Sequence, residues 1–285
     1  MLKRTHLRQF LAVVDTGSFT RAADRVGIAQ PSLSAGIAEL ERLVGAKLFL
    51  RARRRIELTD AGNRLLAHAR AIEREFRLAE ASTLAAAPAL EPLRLGVLAS
   101  IATTTIARLA QAYESAEPLV LVEGSDAELR KRLSDGQIEA ALTILRPEDR
   151  DRHVHALLEE DYCVMLPSGH PLAHAARIAV SDIAGETMIA RRSCEVLAET
   201  SRFFTQRGVR PTFFLRSAND DRCLDMVRAG MGLTTAPRSL ARDGVATVPL
   251  ADYDFRRTLA LVFRRDWQGP QGRQLAKACE RAIAA

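Results

Sequence analysis

Four arginines stand within five positions of one short segment, and their side chains are suited to binding phosphate. They are Arg51, Arg53, Arg54 and Arg55, and apolar residues flank them on both sides. A guanidinium group can pair with phosphate oxygens through two hydrogen bonds. A cationic turn between two apolar strands is typical of a β-wing that contacts the DNA backbone. The alternative interpretation is a solvated turn, since runs of charge are often merely exposed.

A second group of polar residues precedes the arginines and could contact base edges. Gln30, Pro31, Ser32 and Ser34 open a segment with helical periodicity. Glutamine can make two hydrogen bonds to adenine, whereas serine contacts bases less selectively. Ser18 precedes another helical segment and is expected to cap it. We therefore predict that Ser18, Gln30, Pro31, Ser32 and Ser34 lie at a DNA-binding surface together with the arginines.

The elements that carry these residues follow from apolar spacing and glycine positions. Helices are expected over His6–Val14, over Phe19–Val26, and from Gln30 onward. Gly17 ends the first helix, and Gly27 provides the turn between the second and third. The residues expected on the buried face of the third helix are Leu33, Ile37, Leu40 and Val44. Two short helices joined by a glycine turn form a helix-turn-helix, whose second helix enters the major groove of DNA.

The charge distribution also favours nucleic acid as a partner of the N-terminal segment. The chain has 285 residues and a net charge of +6. Residues 1–87 contain 15 Lys and Arg against 9 Asp and Glu, whereas residues 88–285 contain 26 of each. The whole excess of positive charge thus belongs to one end, as expected of a DNA-binding module joined to a neutral partner.

Other classes of function find little support in the composition and motifs. No apolar run reaches the roughly 18 residues of a membrane helix, and the N-terminus does not resemble a signal peptide. The four cysteines lack zinc-site spacing, which favours a reduced, cytoplasmic location. Catalytic motifs are missing, so we expect neither an enzyme, nor a cofactor, nor a metal site. The histidines considered as metal ligands do not converge in the sequence: His153, His155, His170 and His174.

A heptad-like pattern follows the wing and predicts a long helix. Its apolar positions alternate spacings of four and three: Leu65, Ala69, Ile72, Phe76, Ala79 and Thr83. This spacing is typical of a two-stranded coiled coil. An amphipathic helix packed on its own domain is the alternative. Dimerisation is favoured, because a dimer presents two recognition helices to two half-sites.

Beyond residue 91 the sequence alternates between strand-like and helix-like segments, which predicts an α/β unit with largely parallel sheets. Strands are expected at 93–98, 119–122, 140–144, 162–166, 188–190, 212–216, 233–235 and 258–263. Helices are expected at 103–114, 127–133, 195–207, 220–229 and 271–282.

The segment SFTRAADRVGIAQPSLSAGIAELERLVGAKLFLRARRRIELTDAG closely resembles the winged helix-turn-helix of LysR-type transcriptional regulators. The residues in register with the family are Gln30-Pro31-Ser32-Leu33-Ser34, Leu40-Glu41, Leu48-Phe49, Arg51, Leu58-Thr59 and Ala61-Gly62. The sequence departs from the family at Ala29, where serine is usual, and at Ala35 and Gly36. The loss of a serine cap and a mid-helix glycine both weaken the third helix, so wing contacts to phosphate are expected to carry much of the affinity.

The resemblance implies the remaining architecture and the partners. The expected domains are a winged helix-turn-helix at 1–60, a linker helix for dimerisation at 61–87, and an effector-binding domain at 88–285. The last domain is expected to have two lobes like a type 2 periplasmic binding protein, with a small-molecule cleft between them. The implied partners are double-stranded promoter DNA, a small-molecule effector, a homodimer or homotetramer of the chain, and RNA polymerase.

The effector contacts are expected where strand ends and helix N-termini face each other across the cleft. In the first lobe these positions are Ser100, Ile101, Thr103, Ser125 and Arg146; in the second they are Ser193, Cys194 and Asn219. Hydroxyls near helix N-termini and a guanidinium suit a small organic anion, and a carboxylate in particular. The alternative is that the serines and Asn219 are only helix caps and that Arg146 is a surface residue.

Cys194 supports a different hypothesis for the signal. Arg191 and Arg192 precede it and a helix is expected to follow it, and both features can lower the pKa of a thiol. The resemblance adds that peroxide-sensing members of the family use a cysteine in the corresponding lobe. Thiol redox sensing through Cys194 is therefore an alternative to an organic effector. A further alternative, from another class, is a two-lobe solute-binding protein or enzyme with an unrelated basic N-terminal bundle.

Overall fold

The computed structural model describes residues 1–52, 55–83, 92–151, 153–264 and 271–284. The chain divides into two compact units. One comprises Met1–Glu91 with the short segment Ser134–Gln137, and the other comprises Pro92–Leu133 and Ile138–Ala285.

The first unit begins with three helices separated by glycine turns. They are α1 (Arg4–Thr16), α2 (Phe19–Val26) and α3 (Gln30–Val44). Gly17 and Gly27 follow α1 and α2 with φ angles of 61° and 74°, a left-handed conformation that glycine adopts without steric cost. The predicted cap is confirmed, because the Ser18 hydroxyl accepts a hydrogen bond from the Arg21 N–H at 3.4 Å.

A hairpin and a long helix complete this unit. Strands β1 (Phe49–Ala52) and β2 (Arg55–Leu58) pair antiparallel, and α4 runs over Asp60–Thr83. The apolar faces of the helices and of the hairpin pack together in one core. Its fully buried members include Leu7, Phe10, Val13, Leu33, Ile37, Leu40, Leu48, Leu66 and Ala69. The expectation that Val44 is buried is wrong: it is 39% exposed, because it closes the last turn of α3 beyond the core.

The second unit alternates strands and helices. In chain order these are β3 (Leu93–Leu98), α5 (Thr103–Ala112), β4 (Leu119–Gly124), α6 (Asp126–Ser134), β5 (Ala140–Ile144), β6 (Val154–Pro167), β7 (Thr187–Arg191), α7 (Leu197–Gln206), β8 (Thr212–Ser217), α8 (Asp220–Arg228), β9 (Thr234–Pro237), β10 (Val245–Val248), β11 (Arg256–Phe263) and α9 (Gln271–Ala284).

Two long strands join the lobes of this unit. β6 pairs with β11 at one end and with β9 and β10 at its other end. One lobe consists of β3, β4, β5 and β11 with α5, α6 and α9, around a core that includes Leu95, Leu142 and Leu261. The other contains the β7–β8 pair with α7 and α8, and its cores include Phe203 and Leu224. The two-lobed α/β class is as predicted.

The expectation of largely parallel sheets is wrong. The pairs β3–β4, β3–β5 and β7–β8 are parallel, but every described pair that involves β6 or β11 is antiparallel. The sequence also did not indicate β10, and it indicated only the second half of β6. Neither β6 nor β10 is followed directly by an α-helix, so no βαβ pattern marks them in the sequence. Among the described residues, no helix is both long and apolar enough to cross a membrane.

Candidate DNA interface and effector cleft

The N-terminal turn of α3 presents the polar residues that the sequence singled out. Gln30, Pro31 and Ser32 are exposed and Ser34 is half-buried, whereas Leu33 on the opposite face is buried. The Gln30 side-chain amide donates a hydrogen bond to the Ser34 hydroxyl at 2.9 Å. This bond holds the glutamine along the exposed face of the helix.

Two of the three departures from the family pattern, Ala29 and Gly36, have visible structural consequences. Ala29 occupies the N-cap position of α3, and its side chain makes no capping hydrogen bond there. At Gly36, the side chain of Gln9 from α1 occupies the space that a Cβ atom would need. The close packing of α1 on α3 thus explains the glycine in the middle of α3. Glycine destabilises a helix relative to alanine, and α3 has this lower helix propensity where the two helices touch.

The start of the wing is fixed by a buried carboxylate. Glu41 accepts hydrogen bonds from the Lys47 ammonium at 2.6 Å and from the Leu48 N–H at 2.9 Å. Burial acts to raise the pKa of Glu41, but these two donors outweigh it and hold the pKa below its usual value. Glu41 therefore stays ionised and ties the end of α3 to the first residue of the hairpin.

The wing places two of its arginines on paired strands. Arg51 lies opposite Ile56, and Ala52 lies opposite Arg55. Arg53 and Arg54 lie outside the described residues. The four arginines and the polar start of α3 thus remain a predicted DNA interface. Ser18 serves α2 as its cap, and its hydroxyl is already engaged there.

The linker helix is attached to the first unit through Arg4. The Arg4 guanidinium makes two hydrogen bonds to Glu73, at 2.8 and 2.9 Å, pairs with Glu80, and stacks on the ring of Phe76. Ala69 is buried in the core of the same unit. The predicted seam is therefore divided: its first half packs within the chain, while Ile72, Phe76 and Ala79 remain exposed.

A buried polar network lies where β6 and β11 cross between the lobes. The Arg257 guanidinium donates to Glu160, to Glu195 and to the Ser100 hydroxyl, each at 2.8 Å. Arg257, Glu160 and Glu195 are at most 5% exposed. One cation thus lies between two carboxylates, and Ser100, predicted in the effector site, belongs to the same network.

Glu195 occupies the position beside Ser100 where the anionic effector was expected to bind. Its carboxylate accepts hydrogen bonds from the Ser100 hydroxyl and, at 2.6 Å, from the Tyr162 hydroxyl. Burial raises the pKa of Tyr162, so the phenol stays protonated and donates. Burial also acts to raise the pKa of Glu195, but Arg257 and the two hydroxyls outweigh it and lower this pKa. A carboxylate of the chain itself is therefore held where an effector carboxylate was expected.

Sequence reasoning missed Glu160, Glu195, Tyr162 and Arg257. Arg257 is separated from Glu160 by 97 positions and from Ser100 by 157, and only the register of β6 with β11 brings them together. The available signal was charge inside strands, since Glu160 lies in an acidic run within β6 and Arg257 at the basic start of β11.

Most of the other predicted cleft residues of the first lobe already have partners. Ser125 and Glu128 form a reciprocal cap of α6, with the Ser125 N–H 2.8 Å from the Glu128 carboxylate. Arg146 is an ion-pair partner of Asp126 at 3.2 Å. Thr103 donates to Asp221 of the other lobe. Ile101 is 6% exposed and packs in the core.

The second lobe holds its predicted residues around a buried ion pair. Arg191 pairs with Asp220 through two hydrogen bonds, and Ser193 donates to the same carboxylate at 2.6 Å. Asn219 caps α8 by accepting from the Arg222 N–H at 2.8 Å. Ser125 and Asn219 thus both act as helix caps, as the alternative interpretation held.

The surroundings of Cys194 do not activate its thiol. Burial raises the pKa of Cys194, and Arg191, whose charge acts in the opposite direction, is neutralised by Asp220. The helix expected to follow directly begins only at Leu197. The expectation of a lowered thiol pKa is therefore wrong, because burial outweighs the charge of Arg191 and no helix N-terminus adjoins the thiol. In the described part of the chain, no group of three or more acidic, histidine or cysteine side chains could hold a metal ion.

A small cavity of about 220 Å³ opens beside the network between the lobes. Arg146, Glu195, Tyr162, Arg256 and Arg257 contribute to its wall. Hence the predicted Arg146 and the unpredicted Glu195 face one space, while Ser125 and Asn219 do not line it.

Comparison with known proteins gives a consistent result over the whole chain. Residues 87–284 match the family described as the LysR substrate binding domain, and residues 5–63 match the bacterial regulatory helix-turn-helix protein of the lysR family. A probable hydrogen peroxide-inducible genes activator of Mycobacterium avium is 30% identical over 90% of this chain and 86% of its own length. A hydrogen peroxide-inducible genes activator of Pectobacterium carotovorum subsp. carotovorum is 28% identical over 90% of this chain and 89% of its own.

A solved structure has the same fold. ArgP from Mycobacterium tuberculosis superposes with a TM-score of 0.76 at 21% identity, covering all of this chain and 98% of its own. The family models thus match the winged helix-turn-helix and the two-lobed domain, and the structural match also covers the long helix between them. The chain belongs to the LysR family of DNA-binding transcriptional regulators.

Proposed function

We propose that this regulator binds promoter DNA through residues 1–60, dimerises through the helix at 61–87, and changes its DNA binding when a small organic anion binds the domain at 88–285. The observation that supports the effector class is the corner formed by Ser100, Tyr162 and Arg257. These groups already hold the carboxylate of Glu195, so their donors have the geometry that a carboxylate requires.

An effector carboxylate at this corner would replace Glu195 and release it from Arg257. Arg146 lines the adjacent cavity and offers a second guanidinium to the ligand. Because Glu195 follows β7 in the second lobe while Ser100 follows β3 in the first, the exchange would change a contact that joins the lobes. Such a differential contact is what allows a ligand to shift a conformational equilibrium.

DNA binding and effector binding are tested separately. Binding of the full-length protein to promoter fragments should weaken steeply as salt rises, because Lys and Arg contacts to phosphate release counterions. A thermal-shift screen of organic acids should then identify ligands that stabilise the folded protein. An Arg146→Ala variant should retain promoter binding and lose the response to the effector. The absence of specific DNA binding at any salt would contradict the regulator function itself.

Peroxide sensing through Cys194 is the second candidate, and the names of the relatives favour it. Both relatives described above are named as hydrogen peroxide-inducible genes activators. The raised pKa of Cys194 argues for a slow reaction, because the thiolate is the reactive form. Promoter binding by wild type and by Cys194→Ser should be compared before and after mild peroxide. A change confined to the wild type would establish thiol sensing.

The assembly and the location of the protein follow from the same proposal. The exposed half of the linker seam suits pairing of two chains, as a homodimer or as part of a homotetramer. A promoter-bound regulator acts in the cytoplasm and contacts RNA polymerase. It performs no catalysis, and its activity is binding alone.

A further inference from the structure

We propose that the second lobe contains a binding site of its own, separate from the cleft, for an organic anion with an apolar body. The site is a cavity of about 610 Å³ bounded by β7, α7, β8 and the segment between α7 and β8. Every residue of its wall belongs to this lobe. Of the residues predicted in the cleft, Cys194 is part of this wall, whereas Arg146 and the network residues Ser100, Glu195 and Arg257 are not.

The charge of the wall favours an anion. Arg191, Arg192, Arg210 and Arg216 contribute to the lining, and no Asp or Glu does. Asp220 neutralises Arg191. The other three arginines form no ion pair within the described part of the chain. Three positive charges thus surround a space without a compensating carboxylate, and an anionic ligand would supply it.

The cleft between the lobes has the opposite character. Arg257 there is paired with Glu160 and Glu195, and Arg146 is paired with Asp126. An anion entering the cleft must displace a carboxylate of the chain. An anion entering the cavity of the second lobe displaces none.

The remainder of the wall is apolar and defines the body of the ligand. Phe204, Val209, Pro211 and Phe213 line the cavity, and the guanidinium of Arg216 lies 4.3 Å from the centre of the Phe213 ring. This stacking holds one positive charge beside an aromatic surface. A flat aromatic acid would place its ring on the phenylalanines and its carboxylate near Arg216 and Arg210.

The volume is compatible with such a ligand. Sites for small organic molecules commonly measure roughly 300–1,000 Å³, and they combine apolar walls with a few polar groups. The cavity falls in this range, whereas the space in the cleft is about 220 Å³. The structure therefore assigns the larger aromatic or long-chain acids to the second lobe.

Calorimetric titration of the full-length protein with 2-naphthoate tests the site. The double variant Arg210→Ala/Arg216→Ala should bind 2-naphthoate at least about tenfold more weakly, since it loses two charge-assisted contacts to the carboxylate. The matched control Arg202→Ala/Arg228→Ala removes two exposed arginines outside the cavity, on α7 and α8, and should bind like wild type. Neutral 2-naphthamide should bind wild type more weakly than the acid does.

A second variant blocks the space without changing the charge. Thr205→Trp places a large side chain on the α7 wall of the cavity and should also abolish binding. Arg146→Ala should leave binding unchanged, which distinguishes this site from the cleft. The proposal is overturned if wild type does not bind 2-naphthoate, or if the cavity variants bind as wild type does. It is also overturned if Arg146→Ala alone removes binding, or if the amide binds as tightly as the acid. Promoter binding, measured on the same variants, reports on the regulator function independently.

Discussion

Glu195 follows β7 in the second lobe, and its side chain contacts Ser100 of the first lobe and Arg257 of β11. These contacts lie where an effector was expected to bind. The Glu195 carboxylate receives hydrogen bonds from Ser100 and Tyr162 and an ion pair from Arg257. Removing one partner of a buried ion pair is costly when it leaves a charge without compensation. Here Arg257 retains Glu160 at 2.8 Å, so replacing Glu195 leaves one cation and one anion.

The lowered pKa of Glu195 makes stability depend on pH. A carboxyl whose pKa is lower in the folded than in the unfolded protein stabilises the fold above its unfolded pKa, near 4.5, and this contribution is lost as the pH falls through the folded pKa. Thermal melts of the wild type should therefore decline below about pH 4.5 more steeply than those of Glu195→Gln. Parallel pH dependences in the two proteins would show that Glu195 titrates normally.

At the scale of elements, the wing depends on a close approach between its strands and the linker helix. A Cβ atom at Gly62 would overlap the carbonyl oxygen of Leu48 and would lie 2.8 Å from the Leu58 side chain. Thr59 holds the same junction, since its hydroxyl donates to the Lys47 carbonyl at 2.6 Å. The position of the wing is therefore set by the first turn of α4.

Gly62→Ala is expected to lower the free energy of unfolding and to reduce DNA affinity. Overpacking of this kind costs about 1–3 kcal/mol, because the backbone oxygen of Leu48 must move. Chemical denaturation measures the loss. Gly169→Ala is the matched control, since a Cβ atom there meets no other atom within 4 Å. Equal stability of the two variants would contradict the packing described for Gly62.

The wing and the recognition helix are expected to have different roles in binding. Replacing Arg53, Arg54 and Arg55 by alanine should weaken binding to all sequences similarly. It should also reduce the slope of log affinity against log salt concentration by the equivalent of up to about three phosphate contacts. Gln30→Ala should instead alter base preference. Both effects are measured by titrating specific and random DNA at several salt concentrations. A triple variant with wild-type affinity would remove the wing from the interface.

The elements themselves could be predicted well where apolar periodicity is strong. The bounds of Phe19–Val26 and Ala140–Ile144 agree with the sequence prediction residue by residue, because glycine turns or buried runs delimit them. The buried polar network around Arg257 could not be predicted. Its partners are distant in sequence, and their contact depends on a strand register that no local pattern encodes. Cys194 was misjudged for a related reason, since the pairing of Arg191 with Asp220 is not local.

For the whole molecule, the exposed half of the α4 seam is expected to determine assembly. Ile72 and Ala79 are exposed on this half of the helix. The double variant Ile72→Glu/Ala79→Glu should dissociate the full-length protein at concentrations where the wild type is oligomeric, because it places like charges at a paired seam. Sedimentation measures the assembly, and titration of a two-half-site promoter should show weaker binding through lost avidity.

The control for this prediction keeps the seam apolar. Ile72→Leu/Ala79→Leu should remain associated and should bind DNA like the wild type. If the glutamate variant stays oligomeric, the chains associate through another surface.

The attachment of α1 to α4 by Arg4 has a mechanical consequence. The two carboxylates that receive its guanidinium, on Glu73 and Glu80, are seven residues apart, which corresponds to about 10 Å along the helix axis. Both carboxylates hold the same guanidinium, so Arg4 fixes α1 to α4 at one point, and the core that includes Phe10 and Ala69 provides a second contact between the helices. Since α1 shares its core with α3, a torque applied to the far end of α4 would turn the recognition helix with it. We therefore expect a small rotation of α4 to change the orientation of α3, and with it the angle of Gln30 at the proposed DNA-binding surface.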